Sequence, residues 1–456
     1  MPEPAYRLTH LGGETCVTGS CHLVQTRGLN LLVDCGAVQG NDRAIPMEAW
    51  PVAPAAIDYV LLTHAHIDHI GNLPQLIQAR FDGEILATHP TKALLRPMLK
   101  DAMSFSPMGE KAADRLEETI DRLSWGFQYG EECDLKHGVR FSFHQAGHIL
   151  GSAFIHLKGA DPPWSIVFSG DLGARNTPLL PDPEPPPACD LLVLEATYGD
   201  RLHESRDHRL ERLGKILGRA LADGGRVFIP AFALGRTQEL LYELDRLVTD
   251  PALRRNVPQL ERLRRVPVVV DSPLGLELTR ITSELSAYWD REARTLMRRG
   301  DHPLDFEGLY ACGSHRDHLR LLEQPGPAII IAGSGMCTGG RIVDHLKAGL
   351  EDPRNDLLFV GYQAEGTPGR DIQRYAARPD GYVMLDGERC PIRAGVQVLS
   401  GYSAHADQRE LIDWVRAMPA RPGRIKLVHG EAGARRELEK RLGEAMKRWA
   451  GEAVRR

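Results

Sequence analysis

The chain has 456 residues, 42% of them apolar and 26% charged, and a formal net charge of −5. That length is too great for one small domain and sufficient for two or three with proper cores, and the charge balance gives no sign of a nucleic-acid-binding coat without excluding a local basic cleft. No apolar stretch is long enough to span a bilayer, the first residues carry no secretory signal, and the eight scattered cysteines contain no CxxC pair, which points to a reduced, cytoplasmic protein with no membrane partner.

In chain order, residues 28–34 read as a strand ending on Asp34. Residues 58–62 form an apolar, partly β-branched run that reads as a buried strand and leads into Thr63-His64-Ala65-His66-Ile67-Asp68-His69. Four metal-capable side chains thus lie within positions 64–69. Neutral imidazole and ionised carboxylate are the usual nitrogen and oxygen ligands of a divalent metal. Alternate residues of an extended chain point the same way, so His64 and His66 can share one ion, while Asp68 and His69, past the bend, address a second. A lone histidine is more often a satisfied core or surface residue, but four donors at this spacing do not fit that bland reading.

Residues 91–125 carry a helical pattern whose Met-containing apolar face reads as core or groove wall. Strands follow at 139–144 and 153–157, and a third from 165 leads into Gly170-Asp171. Residues 177–187 are proline-rich and predict an extended surface loop, after which a strand at 190–194 ends at Glu195. From residue 206 the rhythm changes to continuous apolar runs at 226–229, 266–270, 328–331 and 357–360, separated by helical segments such as 235–248 and 341–350. Buried strands alternating with helices predict βαβ units and a parallel sheet. The earlier mixed rhythm returns after 386, with a strand at 396–399, a helix at 408–418, a strand at 425–428 and a charged terminal helix. The expected architecture is α/β: one domain over 1–205 and 387–456, interrupted by a second over 206–386.

Several of these strands end on a potential ligand or its support: Asp34, His64 to His69, His148, Asp171, Glu195 and His429. Ligands of open α/β sheets bind at the carboxyl ends of strands. The pattern would gather His64, His66 and His148 around one ion and Asp68, His69 and His429 around another, with Asp171 suited to bridge them. Two ions roughly 3.5–4 Å apart are the standard device for cutting phosphodiesters. Asp34 is better placed as an acceptor behind the ligands, orienting a histidine.

These motifs, with Gly147-His148-Ile149-Leu150-Gly151-Ser152 and Ser169-Gly170-Asp171, resemble the successive motifs of the metallo-β-lactamase superfamily. Glu195-Ala196-Thr197-Tyr198-Gly199, Ser403-Ala404-His405-Ala406-Asp407 and Val428-His429-Gly430-Glu431 resemble the extra motifs of its β-CASP nucleic-acid-processing branch. The nearest likeness is to bacterial ribonucleases similar to the endonuclease of the cleavage and polyadenylation specificity factor. The resemblance implies a metallo-β-lactamase αββα sandwich interrupted by a parallel-sheet β-CASP domain, and a cofactor of two Zn2+, with Mn2+ behind it. It also implies roles: Glu195 orients His405, His405 is the general acid for the leaving oxygen, and His429 completes the second metal site. A hydroxide bridging the ions attacks phosphorus in line, and Asp68 helps to hold it. Products then carry 3′-hydroxyl and 5′-phosphate ends.

The partner implied is single-stranded RNA, reaching a cleft between the two domains; whether the chain forms a homodimer is left open. The glycine-rich Ala332-Gly333-Ser334-Gly335-Met336 follows a strand and precedes a helix, where backbone amides can cradle a phosphate. Alone it equally serves as a tight turn, but it matches a loop of the family's inserted domain, which makes Ser334, Gly335 and Met336 candidate RNA contacts. Ser403, beside His405, and Arg370, in Gly366-Thr367-Pro368-Gly369-Arg370, are further candidates, with Arg236 of similar standing. His66 stands where flavodiiron proteins usually carry Glu. The glyoxalase and lactamase types lack the inserted domain, and the DNA-repair branch usually carries a non-ligating residue in place of His429. A 5′-exonuclease of the RNase J type usually continues into a further domain, whereas residues 432–456 here amount to one helix, so endonuclease is the expectation. A non-catalytic scaffold would have lost ligands that this chain keeps.

Overall fold

A computed structural model describes residues 5–104, 109–204, 208–256 and 260–453. Two units emerge, Met1–Leu202 with Ala404–Arg456, and His203–Ser403. The first unit opens with β1 (Arg7–Gly12), β2 (Cys21–Thr26), β3 (Leu29–Val33), β4 (Tyr59–Leu61), β5 (Glu84–Thr88) and β6 (Ser124–Phe127). They form one sheet in chain order, antiparallel up to β3 and parallel from β3 onward. β7 (Glu132–Asp134), β8 (Val139–Gln145), β9 (Ala153–Ala160), β10 (Pro163–Phe168) and β11 (Leu191–Glu195) begin a second sheet.

The second unit contributes β12 (Val227–Pro230), β13 (Val268–Asp271), β14 (Leu309–Ala311), β15 (Ile329–Ala332), β16 (Asp356–Phe359), β17 (Tyr382–Leu385), β18 (Glu388–Pro391) and β19 (Gly395–Val398). Six of them pair in the order β14-β13-β15-β12-β16-β19, every pairing parallel, while β17 and β18 form a separate hairpin. Residues such as Ile329, Ile330 and Ile331 are all buried, because a parallel sheet is covered on both faces. The expected boundary at 386 differs from what is found. β19 pairs with β16, so residues 387–403 belong with the second unit.

The chain then returns with β20 (Arg424–Val428), which pairs parallel with β11 and completes the first unit's second sheet as β20-β11-β10-β9-β8-β7. Period-two alternation assigns the faces. Ile166, Phe168, Leu191 and Val193 turn inward against Leu31, Val33 and Leu61 of the first sheet. Val167, Leu192 and Leu194 turn outward, under Leu411, Trp414 and Val415 of the helix Gln408–Arg416 and Leu438 and Leu442 of the helix Ala432–Ala453. The helices His89–Ser104 and Glu110–Leu123 cover the first sheet, giving a helix-sheet-sheet-helix stack. Among the described residues no helix is long and apolar enough to cross a membrane.

Candidate metal centre

The donors converge because the strands that carry them are neighbours. Asp34 follows β3 and Thr63 follows β4, and the parallel register brings Thr63 N and its hydroxyl to Asp34 Oδ1, at 2.8 and 3.0 Å. His64 continues the extended chain, and the turn Ile67–Ile70 swings Asp68 and His69 round behind it. His148 follows β8, Asp171 follows β10, and His429 follows β20. Asp34 and His429 hold positive φ, 61° and 49°, a backbone region costing non-glycine residues about 1–3 kcal/mol, as is typical of functional sites.

Two donor groups lie here, His64, His66, His148 and Asp171, and Asp68, His69 and His429, and the second oxygen of Asp171 faces the second group. In the first, His66 Nδ1 lies 3.1 Å from His64 Nε2 and 3.2 Å from His148 Nε2, and Asp171 Oδ2 lies 3.5 and 3.6 Å from those two nitrogens. Four ligands placed tetrahedrally at zinc–nitrogen bond lengths stand roughly 3.3 Å apart, so these separations match the edges of a coordination tetrahedron. In the second, Asp171 Oδ1 is 3.4 Å from His69 Nε2 and 3.3 Å from His429 Nε2, and Asp68 Oδ2 is 3.9 Å from each. His69 Nε2 and Asp171 Oδ1 are buried with no hydrogen-bond partner among the described residues. A cation between them satisfies both.

The groups behind the ligands fix which nitrogen is bare. His148 Nδ1 donates to the Ala404 carbonyl at 3.2 Å, and His69 Nδ1 to Asp34 Oδ2 at 2.7 Å, so each turns an Nε2 lone pair inward. The Thr63 hydroxyl donates to Asp34, which leaves its oxygen to accept from His64 Nδ1 at 3.1 Å. Burial holds His64 and His148 well below the ordinary histidine range and His66 at about 4, which keeps these imidazoles in the neutral, ligating form. Burial also opposes charge on His69, but the carboxylates of Asp171, Asp34 and Asp68 outweigh it and raise this ring well above its usual range. Burial likewise acts against the Asp171 carboxylate, yet His429, His69 and His64 overcome it and hold the carboxyl well below its usual range. So much negative charge in a dry site calls for positive charge, and the donor set fits a pair of divalent ions.

His405 enters by a different route. Residues 404–406 run antiparallel to 172–174, with Ala406 N donating to Leu172 O at 2.7 Å. Gly173 also lets the chain before His148 pass close by, since a Cβ there would stand 1.9 Å from the Gly147 carbonyl oxygen. A capping box follows at once: Asp407 and Glu410 exchange bonds of 2.9 and 3.0 Å, and Glu410 also accepts from Arg175 N at 2.8 Å. His405 Nδ1 then lies 3.5 Å from Glu195 Oε1 and 3.9 Å from Asp171 Oδ2. Glu195 is fully buried, and the same oxygen accepts from Leu172 N at 2.6 Å. Burial opposes charge on His405, but Glu195, with Asp171 and Asp68 behind it, raises its pKa to about 9.

The expected contacts of the second unit divide. The Ser334 hydroxyl closes its own loop, bonding Thr338 N at 2.9 Å, while the Met336 carbonyl accepts from Gly369 N at 3.1 Å. Thr367 caps the helix Pro368–Tyr375, accepting from Arg370 N at 3.3 Å and leaving the Arg370 side chain exposed. Ser403 is half-buried. Arg236 is not a surface contact: it is buried and paired with Glu239 one helical turn on, with Tyr402 beneath it. Sequence reading missed a third cluster, in which Asp271 Oδ2 takes His318 Nδ1 at 2.6 Å and His345 Nε2 at 2.7 Å, and Oδ1 takes Arg341 at 2.7 Å. Two donors this close to one oxygen are hydrogen-bonded, and a guanidinium already balances the charge, so this knot is not a cation site. Burial acts against the Asp271 carboxylate, but these donors hold its carboxyl well below the usual range.

Two clustered donor groups, on a four-layer sandwich interrupted by a parallel-sheet unit, define a metallo-hydrolase fold. Family models agree: the metallo-beta-lactamase superfamily matches residues 15–230, the Beta-Casp domain 237–372, and the Zn-dependent metallo-hydrolase RNA specificity domain 389–450. The chain belongs to the β-CASP ribonuclease branch of the metallo-β-lactamase superfamily. It is 39% identical to ribonuclease TTHA0252 of Thermus thermophilus, over 93% of each chain. It is 33% identical to transcription termination factor FttA of Methanosarcina mazei, over 94% of this chain and 67% of that one, and 32% identical to FttA of Methanocaldococcus jannaschii, over 93% and 67%. A solved structure of a protein of unknown function from Enterococcus faecalis V583 shares the fold, with a TM-score of 0.50 and 14% identity over 93% of each chain.

Proposed function

We propose that the chain is a ribonuclease that hydrolyses phosphodiester bonds of single-stranded RNA, mainly at internal positions, with two zinc ions at the paired donor sets. The observation that carries this reading is Asp171, whose two oxygens each face a separate set of histidines while His405 and Glu195 stand beside them. The relative named ribonuclease, similar over almost the whole chain, and the RNA specificity match support RNA as substrate. Histidine-rich donor sets favour zinc over manganese. Eight unpaired cysteines suit a reducing cytoplasm.

When bound, a pair of such ions supplies an activated water and stabilises both the attacking and the leaving oxygen of an in-line displacement. His64, His66, His148 and Asp171 would hold one ion, and Asp68, His69 and His429, with the other oxygen of Asp171, would hold the second. Asp34 fixes the His69 ring and thereby its bare nitrogen. His405 stays protonated at neutral pH because Glu195 stabilises its cation. With Nδ1 on Glu195, Nε2 is the position that gives its proton to the leaving 3′ oxygen as the bond to phosphorus breaks, leaving a 5′-phosphate on the other product. Ser334, Gly335, Met336, Ser403 and Arg370 are the proposed RNA contacts.

The test is end-mapped cleavage of a labelled single-stranded RNA and the matching DNA by wild type and His405→Ala. Internal RNA cuts that vanish in the variant support the reading. Mononucleotides released only from the 5′ end would replace it with an exonuclease, and equal cutting of DNA would overturn the preference for RNA.

A further inference from the structure

Three chain segments meet over Gly335. Residues 231–235 follow β12, residues 333–340 follow β15 and residues 360–367 follow β16, and β12 lies between the other two strands in the parallel sheet. All three segments therefore leave the same carboxyl edge, where open α/β sheets take their ligands. Gln363, only 3% exposed, donates Nε2 to the Gly335 carbonyl at 2.8 Å and so ties the third segment to the second. Ser334 N donates to Gly339 O at 3.1 Å and Cys337 N to Ser334 O at 3.2 Å, which hold the glycine-rich loop in one shape.

Phe232 lies directly on this loop. A Cβ at Gly335 would stand 2.9 and 3.0 Å from Cδ2 and Cε2 of its ring, so only glycine lets the ring settle there. One edge of the ring, at Cδ2 and Cε2, thus lies close to the loop backbone, yet Phe232 remains 44% exposed. Tyr362, 43% exposed, stands at the same sheet edge beyond β16. A single exposed aromatic is ordinary on a protein surface. An aromatic braced by a bonded glycine loop, on a ligand-binding edge, is a different object, because its rotamer is already restricted and docking a flat partner costs it little further entropy.

We propose that Phe232 is the stacking platform for one nucleobase of the single-stranded RNA, with Gly335 and Gln363 as its rigid support. This rests on the ribonuclease reading above. Every base offers a π-face, so such a platform holds the strand without selecting its sequence. The chemistry stays with His405 and the proposed metal donors, so Phe232 governs binding rather than turnover.

The experiment compares wild type with Phe232→Leu and Phe232→Trp in steady-state cleavage of a labelled single-stranded RNA. The same three proteins are tested against a series of that RNA carrying one abasic residue at each position in turn. Leucine keeps an apolar contact on Gly335 and removes the π-face; thermal melting checks that it folds. The expected result is a KM raised roughly tenfold in Phe232→Leu, kcat within about twofold of wild type, and recovery in Phe232→Trp. One abasic position should cost wild type a similar factor and cost Phe232→Leu nothing. RNA cleavage with a KM indifferent to leucine overturns the platform alone, as does an abasic penalty that is the same in wild type and Phe232→Leu. Equal impairment by leucine and tryptophan assigns Phe232 to packing and overturns it too. A wild type that cuts no RNA overturns the ribonuclease reading, and the platform falls with it.

Discussion

His405 is surrounded by carboxylates, whereas His64, His66 and His148 owe their neutral state to burial. The difference suits His405 to the proposed role of proton donor and the other three to the proposed role of ligands. His405→Ala should lower cleavage by roughly 10²–10⁴-fold while elemental analysis still finds two ions per chain. Loss of an ion in that variant would make His405 a ligand instead. His429 poses the opposite case, because it combines a donor with a positive φ. His429→Gly relieves the backbone and deletes the nitrogen, while His429→Val deletes the nitrogen and adds strain. Both should weaken the same single ion and spare the other, as read by metal titration. Weakening by valine alone would trace the effect to backbone shape.

Among the elements, the helix Arg236–Thr249 carries an unusual burden. Asp245 is 1% exposed, and its Oδ2 has no partner among the described residues. Burial, with Asp301 adding to it and Arg246 opposing, pushes its carboxyl up to about 7. The folded chain therefore keeps a proton that the unfolded chain loses near the ordinary carboxyl value. The associated stability is fully present below that value and is lost as pH rises through about 7. Asp245→Asn cannot titrate, so it should gain roughly 1–4 kcal/mol over wild type at pH 8 and little at pH 4, measured by denaturant unfolding at both. An equal gain at both pH values would show that titration is not the cause.

How much of this was legible follows from the kind of signal each element carries. Donors at strand ends are readable because an apolar run stopping at His, Asp or Glu breaks two patterns at once, and four donors at 64–69 have no common structural use. β19 is hard to place from sequence because its residues, Gly395 to Val398, are half-buried or exposed, as suits an edge strand, and do not show the continuous apolar run of the inner strands. Arg236 reads as a candidate RNA contact because nothing local reveals its burial; the pairing with Glu239 needs the helix already formed. The Asp271 knot and the Phe232 platform join residues tens to hundreds of positions apart, and spacing along the chain cannot express them.

For the molecule as a whole, the two units have separate cores, and every donor of the proposed metal centre belongs to the first. Chelation removes the charge that balances Asp68, Asp171 and Asp34 and leaves the second unit untouched. Calorimetry should show the first unit's transition falling by roughly 5–15 °C on metal removal while the other stays in place. Equal movement of both transitions would mean that the units melt as one.

The interruption of the first unit also imposes an order on biosynthesis. His64, His66, Asp68, His69, His148 and Asp171 are translated before residue 203, whereas His405 and His429 follow the entire second unit. A growing chain on the ribosome carries most of the proposed ligands for a long interval with neither the proposed acid nor the last donor. A nuclease built in this order cannot assemble its complete centre until the second unit has already been made.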